Sequence, residues 1–135
     1  MKTKVFIAQK MTGLTEKDVM KNRKICEDYF IEHLSEEYPD VEFIDNYTPE
    51  AAPKEAVKTT HERLWYLGHS LQLLSTADLV IFATDAADAK GCVMERVICE
   101  MYHIPFIEME IHTFNPTIRS ACWNLSHEFE DNNSY

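Results

Sequence analysis

A continuous apolar run near the middle of the chain limits the possible folds more than any other segment. The run reads Asp78-Leu79-Val80-Ile81-Phe82-Ala83 and is rich in β-branched and aromatic side chains. Because it lacks the alternation of apolar and polar residues of a half-exposed strand, it is typical of a strand covered on both faces of a sheet. The sequence therefore predicts a central buried strand with structure packed above and below it.

Segments before and after this strand alternate between strand and helix patterns. The first helix is marked by Thr15 and Asp18, which resemble a capping box, and it ends before Pro39. The predicted strands are 4–8, 41–44, 78–83 and 105–109, and the predicted helices lie within 15–38, 61–75, 91–102 and 116–127. Residues 45–59 are predicted to form a long exposed connection. This order forces mostly parallel pairing through right-handed crossovers, which predicts a doubly wound α/β structure.

Size, charge and cysteine content narrow the class of protein. A chain of 135 residues with 45% hydrophobic content fits one domain, predicted at 1–130 with a mobile tail at 131–135. The net charge of -10 argues against duplex nucleic acid as a partner, since that affinity comes from lysine and arginine. No stretch approaches the roughly 18 apolar residues of a membrane span. We expect a cytoplasmic protein with four reduced cysteines, Cys26, Cys92, Cys99 and Cys122.

Glu95 is the leading candidate for a catalytic residue. It lies four places after Gly91, where the central strand gives way to an amphipathic helix. Apolar residues of that helix share one stripe, which is predicted to pack inward: Val93, Met94, Val97, Ile98, Met101 and Tyr102. Glu95 is then expected to project from the first turn, where the helix dipole would hold it ionised. The alternative is a solvated glutamate that merely complements the dipole.

Polar residues after the first and third strands are predicted to form the wall of a pocket, because ligands of open α/β sheets bind at that edge. The loop after strand one supplies Gln9, Lys10, Met11, Thr12 and Gly13, and the segment after strand three supplies Asp85, Asp88, Lys90 and Glu95. Asp85 and Asp88 fit turn and capping roles equally well. Trp65 is predicted to be a core residue, whereas Tyr66 is a candidate to stack on a base.

No metal or cofactor is predicted. Cys92, Cys99 and His103 share one segment, but their spacing is poor for zinc, which is usually held by closely paired ligands. No glycine-rich dinucleotide motif or triphosphate-binding loop is present. The expected partner is therefore a small molecule that the protein binds with its own side chains.

Five motifs carry a resemblance to a known family. They are Val5-Phe6-Ile7-Ala8-Gln9-Lys10-Met11-Thr12-Gly13-Leu14, Tyr66-Leu67-Gly68-His69-Ser70-Leu71, Ala77-Asp78-Leu79-Val80-Ile81, Gly91-Cys92-Val93-Met94-Glu95 and Ile104-Pro105-Phe106-Ile107. In order and content they are similar to the nucleoside 2-deoxyribosyltransferase superfamily, including its small phage and bacterial branch and the related nucleotide N-glycosidases. The resemblance covers roughly the first four fifths of the chain.

The resemblance implies a single-domain, flavodoxin-like three-layer sandwich with a mostly parallel sheet of four to five strands. It also implies that Glu95 attacks the anomeric carbon of a nucleoside or nucleoside monophosphate, and that a second base or water resolves the ester. Asp88 or Asp85 would protonate the leaving base. Residues expected to bind the substrate are Gln9, Lys10, Met11, Gly13, Tyr66, Asp85 and Gly91.

The sequence departs from the family pattern at two positions. Gln9 stands where the small branch commonly has glycine, and His69 stands where many relatives have the aspartate of a Tyr-x-x-Asp-Leu motif. His69 is the candidate to replace that acid, because histidine can donate a proton near neutral pH. These departures leave open an inactive sensor or sequestering protein that binds a nucleotide. Family members complete their sites from neighbouring subunits, so a homodimer or higher homo-oligomer is expected.

Overall fold

The computed structural model describes residues 2–11, 13–46, 61–83, 90–110 and 117–122, the last of these as backbone alone. Strands and helices alternate through most of this range. The strands are β1 (Thr3–Ala8), β2 (Val41–Phe43), β3 (Leu79–Ala83), β4 (Phe106–Glu110) and β5 (Thr117–Cys122). The helices are α1 (Glu16–Leu34), α2 (Glu62–Leu74) and α3 (Lys90–Met101). None of these helices is both long enough and apolar enough to cross a membrane.

The five strands form one sheet in the order β2-β1-β3-β4-β5. The first four strands are parallel to their neighbours, and β5 is antiparallel to β4. Helix α1 packs on one face, and α2 and α3 pack on the other. The predicted flavodoxin-like α/β fold with a mostly parallel sheet is therefore confirmed. The strand order reverses between β1 and β3, which is where such sheets bind ligands.

Strand β3 lies at the centre of the core, as its sequence predicts. All five of its side chains are buried, at most 5% exposed. Its odd and even positions face opposite layers, because successive side chains of a strand point to opposite faces. Leu79 and Ile81 pack in the layer that contains α1, whereas Val80 and Phe82 pack in the layer that contains α2 and α3.

Helix α1 begins where its sequence predicts and packs one face against the sheet. The Thr15 side chain accepts a hydrogen bond from the backbone N–H of Asp18 at 3.1 Å, which satisfies one of the unpaired amides at the start of the helix. The inward stripe contains Val19, Cys26 and Phe30, all buried. The helix therefore has both a defined start and a single packed face.

The prediction of a helix at 116–127 is wrong for the part of it that the structure describes, because Thr117–Cys122 is strand β5. The strand runs antiparallel to β4 and pairs along its whole length, with a register shift at Glu108 and Met109. A row of backbone hydrogen bonds to β4 outweighs the weak helical spacing of a few apolar side chains. Residues 123–127, the tail 131–135 and residues 47–59 of the long connection lie outside the described residues.

The predicted orientation of α3 is also wrong. Five of the six residues of the predicted stripe are exposed, by 42% to 63%: Val93, Met94, Val97, Met101 and Tyr102. The buried residues of the helix are Cys92, Glu95 and Cys99. The two thiols pack against a layer that contains Phe6, Phe82 and Phe106. These large rings fill most of the space, so only small side chains fit between them and the helix. Helix α3 therefore places a glutamate inside and an apolar stripe outside.

An arginine on α3 helps to fix this orientation. Arg96 forms an ion pair with Glu108 of β4, whose side chain is buried, and its guanidinium lies 5.3 Å from the centre of the Phe106 ring. Both contacts join the helix to β4. A rotation of α3 that buried the apolar stripe would break the ion pair and leave Glu108 buried without that partner, which is costly.

Candidate active site

Glu95 is a buried carboxyl group between α2 and α3. Its residue is only 4% exposed, and the hydroxyl of Ser70 on α2 donates a hydrogen bond to its Oε2 at 2.9 Å. Burial raises the pKa of Glu95 from 4.5 to about 7, while the hydrogen bonds from Ser70 and Cys92 act to lower it. At neutral pH the side chain therefore exchanges between the carboxyl and the carboxylate.

The expectation that the helix start holds Glu95 ionised is therefore wrong. Helix α3 begins at Lys90, so Glu95 lies in its second turn, and the influence of the dipole falls off within the first. Burial disfavours the charged form and is the largest influence on this carboxyl. The alternative of a solvated surface glutamate is also wrong, because the side chain faces the protein interior.

The packing of α2 against α3 brings Ser70 and Glu95 together. A side chain at Gly91 would meet Leu67 Cδ1 at 3.7 Å, so the two helices are in contact at this level. Ser70 lies about one turn after Leu67, and Glu95 lies about one turn after Gly91. The hydrogen bond between Ser70 and Glu95 is therefore the next contact along the same pair of helices.

Gln9 connects the end of β1 to both layers of helices. The residue is 4% exposed, and its Nε2 donates to the carbonyl of Val19 on α1 at 2.9 Å. The single hydrogen of the Cys92 thiol is shared between Glu95 and the backbone carbonyl of Gln9, with an Sγ–O distance of 3.5 Å to the carbonyl. The Oε1 of Gln9 is buried and has no hydrogen-bond partner among the described residues. A buried acceptor in that state costs about 1–3 kcal/mol, so a ligand N–H or O–H at this atom would stabilise the protein.

The loop after β1 presents Lys10 and Met11 next to this residue. Lys10 is exposed and Met11 is half-buried. The Met11 carbonyl accepts a hydrogen bond from the N–H of Leu14 at 3.1 Å, which closes a turn. Gly13 within that turn has a φ of +81°, a conformation that favours glycine. Of the predicted loop residues, Thr12 lies outside the described ranges.

His69 contacts an aromatic side chain of its own helix. Its ring is stacked on Trp65 with 5.8 Å between centroids, and Tyr66 meets Trp65 edge-on at 5.0 Å. Trp65 itself is only half-buried, so it is not a full core residue. Ser70, not His69, is the residue of α2 that hydrogen-bonds to Glu95. The sequence does not indicate this role, because the two residues lie 25 positions apart.

Cys99 lies close to Glu95 on the inner face of α3. Burial, followed by the negative charges of Glu95 and Glu100, raises the pKa of the Cys99 thiol to about 12. A thiol in this state is a poor nucleophile, because the thiolate is the reactive form. Cys99 therefore contributes packing to the site rather than chemistry.

A second network holds the carboxyl end of β1 next to the segment after β2. Asn46 is buried, and its Nδ2 donates to the carbonyl of Ile7 at 2.8 Å. Arg23 of α1 donates to Asn46 Oδ1 and to the carbonyl of Ile44, both at 2.6 Å. The network thereby joins α1, the end of β1 and the segment after β2 at the edge of the sheet where Gln9 lies. The sequence does not indicate this network, because its partners lie 21 to 39 positions apart.

The described residues thus bring Glu95, Ser70, Cys92 and Gln9 into one chain of contacts, whereas Asp85 and Asp88 lie outside the described residues. Within the described ranges, no group of three or more histidine, cysteine, aspartate or glutamate side chains could hold a metal ion. No protein-family model matches the sequence, and no curated protein matches it significantly. The resemblance to nucleoside 2-deoxyribosyltransferases therefore rests on the motifs.

Proposed function

We propose that the protein cleaves or transfers the N-glycosidic bond of a nucleoside, deoxynucleoside or nucleoside monophosphate, with Glu95 as the nucleophile. The observation that carries this proposal is the buried Glu95 carboxyl, held by Ser70 and titrating near neutral pH. Ionisable groups with strongly shifted pKa values are concentrated at functional sites. Through Cys92 and Gln9 this carboxyl is also linked to the end of β1, beside the switch point of the sheet.

The reaction proceeds in two steps. A carboxylate oxygen of Glu95 bonds to the anomeric carbon, while the carbon–nitrogen bond breaks and its electron pair leaves with the base. Asp88 donates the proton that the base nitrogen takes up, with Asp85 and His69 as the other candidates for this acid. Water or a second base then attacks the anomeric carbon, gives a proton back to the acid that protonated the leaving base, and releases Glu95 as a carboxylate. The exposed Lys10 is suited to pair with a 5′-phosphate.

Release of the base from nucleosides and monophosphates tests the proposal. The wild type and Glu95→Gln are compared, with Glu100→Gln as the matched control, because Glu100 lies on the same helix but is exposed. We expect Glu95→Gln to lose at least about a thousandfold in kcat and Glu100→Gln to match the wild type. Mass spectrometry of the wild type should also detect a glycosylated protein. Equal rates for Glu95→Gln and the wild type would overturn the proposal.

A second candidate function is the binding of a nucleotide without turnover. It is favoured by the buried Oε1 of Gln9, an acceptor that none of the described residues pairs and that is prepared for a ligand, and by the hydroxyl of Ser70, which is not an acid. In this case calorimetry would detect binding of a monophosphate, no base would appear, and Glu95→Gln would leave the affinity intact. Release of base by the wild type would exclude this alternative.

We further propose that two or more copies associate through the outer face of α3, defined by Val93, Met94, Val97 and Met101. Large apolar side chains in a row on the outside of a helix are typical of an interaction surface. Arg96 and Glu100 lie along one side of this face and form an ion pair within the helix, with 3.6 Å between Nε and Oε1. Their charges are already matched within each copy, and a two-fold pair of α3 helices brings the apolar side chains of both copies together.

A further inference from the structure

We propose that Ser70 is a positioning residue, whose hydroxyl anchors one oxygen of the Glu95 carboxylate and so fixes the direction in which the carboxylate attacks. The inference rests on the proposed function, because it assigns a role within that same site. The nucleophile Glu95 lies on α3, and Ser70 is a second residue of the same site that comes from α2. Ser70 touches Glu95 and is not required to touch the substrate.

The direction of the Ser70 hydrogen bond supports this role. A serine within a helix commonly donates its hydroxyl hydrogen back to a carbonyl three or four residues earlier. Ser75 and Thr76, just after α2, do this, with distances of 2.6 Å to the Gln72 carbonyl and 2.7 Å to the Leu73 carbonyl. Ser70 instead donates across the helix pair to Glu95 Oε2 at 2.9 Å. Its single hydrogen is therefore committed to the carboxyl group.

The surroundings of Glu95 make this hydrogen bond consequential. The titratable side chains that interact with Glu95 in the described part of the chain are the thiols of Cys92 and Cys99 on its own helix. From α2 the contact is the neutral hydroxyl of Ser70. No charged group of the described residues acts on the pKa of Glu95, so the carboxylate depends on neutral donors. Hydrogen bonds to an ionised acceptor are about twice as strong as neutral ones.

Two consequences follow for a variant without this hydroxyl. Burial then acts on Glu95 with only Cys92 opposing it, so the carboxyl group holds its proton to higher pH. The carboxylate also loses its anchor at Oε2, so it rotates more freely and reaches the attacking orientation less often. The loss caused by the raised pKa disappears at a pH where Glu95 is ionised in both the wild type and the variant. The loss caused by the missing anchor remains at that pH. A purely structural role in helix packing predicts neither effect.

The experiment compares Ser70→Ala, Ser70→Thr and the control Ser75→Ala by two independent measurements. The first is the pKa of Glu95, from the carboxyl carbon signal in nuclear magnetic resonance of labelled protein. The second is the pH profile of kcat and KM for release of the base. Ser70→Thr keeps a hydroxyl. Ser75→Ala removes a hydroxyl that donates to the Gln72 carbonyl, three residues earlier in the chain.

We expect Ser70→Ala to raise the pKa of Glu95 by about one unit, which lowers kcat about fivefold at pH 7. A further loss of about tenfold in kcat should remain at pH 9, with KM changed less than about twofold. Ser70→Thr and Ser75→Ala should resemble the wild type. If Ser70→Ala leaves both the Glu95 titration and kcat unchanged while the wild type is active, the positioning role is refuted and the proposed function stands. If the titration moves but the wild type releases no base, the proposed function is refuted, and the hydrogen bond still governs Glu95.

Discussion

The ionisation of Glu95 is decided by burial rather than by the end of its helix. A surface glutamate at a helix start is stabilised as an anion by about 0.3–1 kcal/mol. The cost of burying the anion is larger, since it raises the pKa of this carboxyl to about 7. A nucleophile of this kind is activated by loss of its proton near neutral pH, so kcat/KM should rise with pH up to about 7.

The same shift predicts how the stability of the protein depends on pH. Between pH 4.5 and about 7 the folded protein holds a proton on Glu95 that the unfolded chain has lost. Glu95 therefore stabilises the fold at the low end of this window, and that contribution is lost as the pH rises through 7. We expect Glu95→Gln to be more stable than the wild type by about 3 kcal/mol at pH 8, with a smaller difference at pH 5. Urea denaturation at both values checks this.

The matched control for that measurement is Glu100→Gln. Glu100 is half exposed and on the same helix, so its removal should change stability by less than about 0.5 kcal/mol at either pH. Equal stability of Glu95→Gln and the wild type at pH 8 would contradict the burial of an ionisable carboxyl. A difference that is large but independent of pH would point to packing rather than to ionisation.

The acid that protonates the leaving base can be identified through the chemistry of the substrate. An ordinary purine needs a proton to leave, whereas a purine methylated at N7 is already cationic and leaves without one. We expect Asp88→Asn to slow base release from an ordinary nucleoside by about a hundredfold or more, and from the N7-methylated nucleoside by only a few-fold. Asp85→Asn and His69→Gln are the controls. A selective loss in either of them would move the role of acid to that residue.

At the scale of the elements, local signals in the sequence predict β3 and α1 well. The side chains of β3 are apolar on both faces, and a strand of this kind has few other places in a domain. Helix α1 carries its own start signal at Thr15, and the structure uses it. In both cases the information lies within the element, so neither depends on what its neighbours do.

The orientation of α3 and the identity of β5 depend on distant contacts instead. Apolar periodicity predicts that the apolar side of a helix is the buried side. In α3 the opposite holds, because Glu95 faces the interior, Arg96 pairs with Glu108 of β4, and the apolar stripe faces outward. Strand β5 forms because β4 offers an edge to pair with. For the same reason Ser70 was missed, since its role comes from a partner 25 residues away in sequence.

Asn46 joins three elements, and its removal should be costly. Asn46→Ala leaves the Ile7 carbonyl and the Arg23 guanidinium each without one partner in a buried position. We expect a loss of about 2–3 kcal/mol in the free energy of unfolding. Asp45→Ala, at the exposed neighbouring position, should cost less than about 0.5 kcal/mol. Denaturant titration measures both, and similar values for the two variants would show that the network contributes little.

At the scale of the whole molecule, charge and apolar surface act against each other. A net charge of -10 on each copy opposes self-association. The outer face of α3 favours it, because it removes four large apolar side chains from water. Salt screens the repulsion, with a Debye length of about 10 Å at 0.1 M, but leaves the apolar term in place. Association through this face should therefore strengthen as the salt concentration rises.

Light scattering on two variants of equal charge tests whether this face is the one used. Val97 lies in the middle of the outer face of α3 and is 42% exposed, while Ile31 on α1 is 53% exposed. Val97→Glu places an unpaired charge in the proposed interface, so it should shift the protein to the monomeric mass. Ile31→Glu adds the same charge elsewhere and should keep the mass of the wild type. Equal masses for both variants would rule out α3 as the contact, and a monomeric wild type at high salt would rule out the association itself.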